Sequence, residues 1–162
     1  MRLPVLPPIP KPSHFVQKLP QFILQPLSHS PFSLQRMALE RVLKQVFKEA
    51  IAEGDFNFLE NKYLRVDIRD LKLCWYFSFD GQQITVHRYA RPDATISGEL
   101  HEFLLLMSRR EDPDTLFFQR RLQISGDTKL GLEVKNLLDT IDMDTLPYPI
   151  KITMDKIIGF AV

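Results

Sequence analysis

The sequence predicts an α+β fold, with about five mostly antiparallel strands in one sheet and helices packed on one side. Three observations carry this expectation. Residues 63–89 alternate apolar and polar side chains at period two, as strands with one wet face do. Residues 39–51 and 100–107 repeat apolar side chains at three and four, the spacing of one helical face. Between residues 91 and 141 the two periods follow each other as strand, helix, strand, helix with almost no slack.

The chain opens with a proline-rich leader, residues 1–30, ahead of a domain expected over 31–162. Pro4, Pro7, Pro8, Pro10, Pro12, Pro20 and Pro26 remove amide donors and fix φ, so the leader is neither one helix nor a central strand. It is nonetheless apolar. Phe15, Val16, Leu19, Phe22 and Ile23 either pack on the domain or on a twin chain as a homodimer, or form an interfacial segment touching membrane or partner.

A first helix is expected to be capped by Ser30 or Ser33, to bury Leu39, Val42, Leu43, Val46, Phe47, Ala50 and Ile51, and to end near Gly54. Its other face, with Arg36, Glu40, Arg41, Lys44, Lys48 and Glu49, reads as solvated. Leu64, Val66 and Ile68 then alternate with Arg65, Asp67 and Arg69; Leu71 to Phe79 is more apolar throughout, and Gln83 to Tyr89 alternates again. Asp80-Gly81 marks a hairpin between the last two, because a tight turn needs residues that tolerate positive φ.

Ala94 to Ser97 gives a short strand ending at Gly98, and Leu100, Phe103, Leu104 and Met107 a helical face. After Asp112-Pro113-Asp114 the spacing of Leu116, Phe118, Leu122 and Ile124 suits one side of a strand, with Arg120 on that same side. Ser125-Gly126-Asp127 turns the chain. Asp127 or Thr128 caps a last helix burying Leu130, Val134, Leu137, Leu138 and Ile141. Residues 150–162 suit an edge strand or closing helix, with Ile157, Ile158, Phe160 and Val162 covering a core or pocket.

Composition excludes several classes. The 21 basic and 20 acidic residues leave a net charge of +1, which argues against nucleic acid as a partner. Cys74 stands alone, so no internal disulfide forms and a reducing, cytoplasmic setting suits the chain. The prolines break any secretory apolar core, and no stretch approaches the roughly 18 apolar residues of a membrane span. No nucleophile elbow, P-loop or dinucleotide-binding fingerprint is present. His101-Glu102 opens like a zinc-protease helix, but position 105 is leucine; His14, His29, His87 and His101 are scattered. Asp139, Asp142 and Asp144 lack the glycine and glutamate of a calcium loop. No enzyme, metal or cofactor is expected.

Residues 93–98, PDATISG with its preceding proline, the apolar helix, the Asp-Pro-Asp break, and LQISGD before TKLGLEVKNLL resemble the sterol carrier protein type 2 family, over about residues 31–149. The likeness is strongest to the bacterial members that serve ubiquinone biosynthesis. It implies a sheet and helices enclosing an apolar tunnel for an acyl or isoprenoid chain, and binding rather than catalysis. On that reading Trp75, Phe77, Phe79, Phe103, Leu104, Met107, Phe117 and Phe118 line the tunnel, although each taken singly suits an ordinary core. Arg120 is the candidate for a phosphate or carboxylate headgroup, while Arg109, Arg110 and Arg121 suit surface pairs with Glu111, Asp112 and Asp114. The implied ligands are polyprenylated quinone precursors or phospholipid, and the implied partners the hydroxylases and methyltransferases of the oxygen-independent branch. A scaffold that assembles those enzymes without carrying lipid is the alternative.

Overall fold

The computed structural model describes residues 29–140 together with Asp144, Leu146, Tyr148, Lys151, Ile152, Asp155 and Lys156. The expectations for the leader, including Phe15, Val16, Leu19, Phe22 and Ile23, and for Ile157, Ile158, Phe160 and Val162 lie outside the described residues.

Helix α1 (Phe32–Val46) begins at Pro31, with no serine side chain capping it. The single helix expected to reach Gly54 is two, because the chain bends at Phe47 before α2 (Lys48–Glu53). The bend sinks the Phe47 ring, which meets Phe56 edge-on at 5.2 Å. Gly54 closes α2 in the left-handed conformation, as its position after the apolar stripe predicts.

Strands β1 (Leu64–Ile68), β2 (Leu73–Phe79) and β3 (Ile84–His87) form the expected antiparallel meander. At the hairpin Gly81 takes φ +94°, and Asp80 Oδ1 accepts the amides of Gln82 and Gln83 at 2.8 Å each. Those two donors, Gln83 first, hold the Asp80 carboxyl below its ordinary range. The next strand, β4 (Ala94–Gly98), returns to pair in parallel with β1, and β5 (Gln123–Gly126) pairs antiparallel with β4. The order is β3-β2-β1-β4-β5.

This register lines up apolar rows on one face. Trp75 stands beside Val66, Val66 beside Ile96, and Ile96 beside Ile124; Val86, Phe77, Leu64 and Ala94 form a second row. Helices α1, α3 (Leu100–Met107) and α5 (Thr128–Asp139) pack on that face, as their apolar spacing requires. The reverse face is polar. There Ser78 Oγ lies 2.8 Å from His87 Nε2 and 2.6 Å from Thr85 Oγ1, and Arg65 Nε donates to Cys74 Sγ at 3.1 Å. The Cys74 contact, more than Asp67, raises the Arg65 guanidinium further above its ordinary value.

One element differs in kind from the sequence reading. Residues 113–118 are a short helix, α4 (Pro113–Phe118), not the start of a strand that reaches Ile124. Pro113 occupies a first-turn position, and Asp112 accepts the Thr115 amide, which is a cap, not a break. Spacings of two, four and two residues among Leu116, Phe118, Leu122 and Ile124 fitted period two only because a turn intervenes.

Candidate functional site

Three groups of buried apolar side chains fill the space between sheet and helices. The first joins Leu64, Phe79, Ala94 and Ile96 to Leu130, Val134 and Leu137 of α5; the second joins Leu73, Trp75 and Val86 to Leu100 and Leu104 of α3; the third is Leu106, Leu116 and Leu122. Phe103 packs against all three. Phe77 bridges the first and second, Phe117 the first and third, and both are half-buried, as Phe103 is. The seam between the groups is therefore built of aromatic rings that reach toward the surface. An arrangement of that kind suits a hydrocarbon chain.

Most of the expected lining residues meet there. Trp75, Phe79 and Leu104 are buried, and Phe77, Phe103, Met107 and Phe117 are half-buried against the same groups. Phe118 does not join them: it is 91% exposed at the end of α4. Arg120 is likewise outside, exposed in a turn at φ +58°, and so does not share a strand face with Phe118 and Leu122. Both departures follow from helix α4: its last residue, Phe118, points away from the side that buries Leu116, and Arg120 falls in the turn that follows.

Of the adjacent arginines, Arg121 is the one that turns inward. It lies 2.8 Å from Glu111 and 2.8 Å from Glu102, the latter a close ion pair without aligned hydrogen-bond geometry. Burial works against its charge, but Glu111 and then Glu102 outweigh that and raise its pKa. The cluster ties the turn after α3 to the turn after α4. Arg109 donates to the Asp139 carbonyl at the end of α5, while Lys135 pairs with Asp114. Among the described residues, Arg110 and Arg120 make no ion pair.

Two positions escaped the sequence reading. Gln35, buried within α1, accepts the indole N–H of Trp75 at 2.9 Å and donates to the Ser30 carbonyl at 3.0 Å. Glu40, read as solvated, accepts the Val86 amide at 3.0 Å. A polar residue at a core-facing position of the helical spacing was the available signal for Gln35; nothing in the sequence marks Glu40.

The model of the SCP-2 sterol transfer family matches residues 39–139. The ubiquinone biosynthesis accessory factor UbiT of Escherichia coli (strain K12) is 38% identical over 149 residues, covering 92% of this chain and 86% of that protein. Among solved structures, the UbiJ-SCP2 ubiquinone synthesis protein superposes with a TM-score of 0.56 at 20% identity, over 67% of this chain and 97% of that one. The sterol carrier protein domain 2 of Helicoverpa armigera gives 0.44 at 16% identity, over 64% and 84%, a likeness too loose to add to the fold assignment.

Proposed function

The chain belongs to the SCP-2 sterol transfer family, and from that premise we propose that it is a non-enzymatic, lipid-binding accessory factor of ubiquinone biosynthesis. The observation that carries this reading is the 38% identity to UbiT over 92% of the chain. The aromatic seam around Phe103 supports it from the side of chemistry. A polyprenyl tail is insoluble, and at about 0.8 kcal/mol per buried methylene even partial enclosure holds it firmly.

In this reading Trp75, Phe77, Phe79, Phe103, Leu104, Met107 and Phe117 line the lipid. The ligand is a polyprenylated quinone precursor or a phospholipid, presented in the cytoplasm to the hydroxylases and methyltransferases of the oxygen-independent branch. The leader, residues 1–30, adds Phe15, Val16, Leu19, Phe22 and Ile23 as a membrane or partner contact. No helix among the described residues is long and apolar enough to cross a membrane.

One observation favours a second reading, a scaffold that gathers those enzymes without cargo. Val86, Ile96, Leu116, Leu122 and Leu130 are fully buried, so much of the interior is already filled by the chain itself. Native mass spectrometry with solvent extraction, on protein purified without detergent, separates the two. A near-stoichiometric quinone precursor or phospholipid is expected. A protein that is empty, and stays empty when offered prenylated precursors or phospholipid, would sink the carrier reading in favour of the scaffold.

A further inference from the structure

Phe118 is the most exposed large apolar side chain among the described residues, at 91%. Nothing in the packing of α4 requires a phenylalanine there, since Leu116 and Phe117 supply its inward contacts. Gln119 and Arg120 beside it are exposed as well, and so is Arg110 on the neighbouring turn. The two turns are held together by Arg121, which spans from its own turn to Glu102 and Glu111. Each turn also carries an arginine at positive φ, Arg109 at +52° and Arg120 at +58°, a conformation that costs a non-glycine residue energy. An open groove of about 660 Å³, lined by Asp114, Thr115, Phe117, Phe118 and Gln119, runs beside the ring.

The carboxylates of these turns are engaged, while two of the cations are not. Glu111 shares Arg121 with Glu102, Asp114 pairs with Lys135, and Asp112 accepts the Thr115 amide, whereas Arg110 and Arg120 are exposed without an ion pair among the described residues. A single exposed aromatic ring with exposed arginines near it lacks the broad apolar patch that a stable protein interface needs. It has what a bilayer surface needs: a ring to sink among acyl chains and guanidinium groups to meet phosphates.

The geometry points to this face, Phe118 with Arg110 and Arg120, as a docking surface for an anionic lipid bilayer. It uses residues distinct from the leader and from the lining of the seam. It goes beyond the carrier reading by naming where the chain meets the membrane. Phe117, next in sequence to the inserted ring, is half-buried against two of the apolar groups. Docking therefore sets the edge of the seam against the acyl chains from which a lipid would enter.

The test is sedimentation of the full chain with vesicles of phosphatidylethanolamine and phosphatidylglycerol, and with neutral phosphatidylcholine vesicles. Wild type is expected on the anionic vesicles. Phe118→Ala should weaken partitioning about ten-fold, and Arg110→Gln with Arg120→Gln about 30-fold, on anionic vesicles only. Phe118→Trp should restore binding, with its emission quenched by brominated acyl chains; Trp75, 6% exposed, stays shielded. A wild type that ignores anionic vesicles, or a Phe118→Ala chain that sediments like wild type, overturns the inference and leaves the face to a protein partner or to water. Lipid uptake from detergent micelles, measured in parallel, keeps the two readings apart. Uptake without Phe118-dependent sedimentation overturns only the docking face; Phe118-dependent sedimentation without uptake supports it and removes the carrier reading.

Discussion

The carboxylate of Glu40 accepts the backbone amide of Val86 at 3.0 Å, and the same oxygen takes the Arg36 guanidinium at 2.9 Å. A helix side chain thus occupies the open hydrogen-bonding side of the edge strand β3. Edge strands left open recruit other strands, and this contact occupies one of the outward amides of β3.

Glu40→Ala is expected to cost about 1–3 kcal/mol, because it leaves the Val86 amide unsatisfied in a half-buried setting. Urea unfolding measures the loss. Concentration-dependent association in gel filtration should accompany it. Glu40→Gln keeps an acceptor and should retain at least half of the stability.

Trp75 and Gln35 give a second test. Removing the acceptor by Gln35→Leu puts the indole N–H against an apolar group, at about 1–3 kcal/mol. Thermal unfolding should report the loss, with a shift in Trp75 fluorescence as α1 loosens from the sheet. An unchanged melting temperature would mean that the hydrogen bond at 2.9 Å contributes nothing to docking of α1.

Gly131 lies within α5, where alanine ordinarily stabilises by about 1 kcal/mol. Here a Cβ would run into Cγ2 of Ile124 on β5. Gly131→Ala is expected to destabilise instead, by about 1–3 kcal/mol. In the background of Ile124→Ala the penalty should vanish, which a double-mutant cycle measures directly.

Asp127 caps α5 through the amides of Lys129 and Leu130 at 3.0 and 3.1 Å. The Leu130 amide foremost, helped by Lys62, holds its pKa below the ordinary carboxylate value. A depressed carboxylate contributes stability that is complete above its unfolded pKa, about 3.9, and is lost as the pH falls through the lower folded value. Asp127→Asn preserves a good cap but removes the titration, so the acid limb of stability against pH should flatten below about pH 4.

Phe103→Ala should lower stability by about 2–4 kcal/mol, since the ring is shared by three apolar groups. Phe103→Trp adds bulk at the junction. It is expected to reduce uptake of a prenylated ligand several-fold while the fold survives, as circular dichroism would verify; equal uptake would place the lipid elsewhere.

How much of this was legible follows from locality. The meander, the Asp80-Gly81 turn, β4 ending at Gly98 and the Asp127-capped α5 rest on neighbours within a few residues, and each reads directly from spacing. Helix α4 did not, because six residues are too few to show a 3.6-residue period, and the alternation through Ile124 imitated a strand. That one error moved Phe118 and Arg120 from inside to outside and hid the inward role of Arg121. The parallel partnership of β1 and β4 and the Glu40–Val86 contact join residues 30 and 46 positions apart, beyond the reach of any local pattern.

The same partnership has a bearing on how the protein is made. Strand β1 pairs on one side with the next strand in the chain and on the other with one that leaves the ribosome 30 residues later, Leu64 against Ala94. The three-stranded meander can close early, but it then stands with the far side of Val66 bare until Ile96 arrives. A pause in translation between residues 87 and 98 would hold a nascent chain in its stickiest form, a ready template for neighbouring copies.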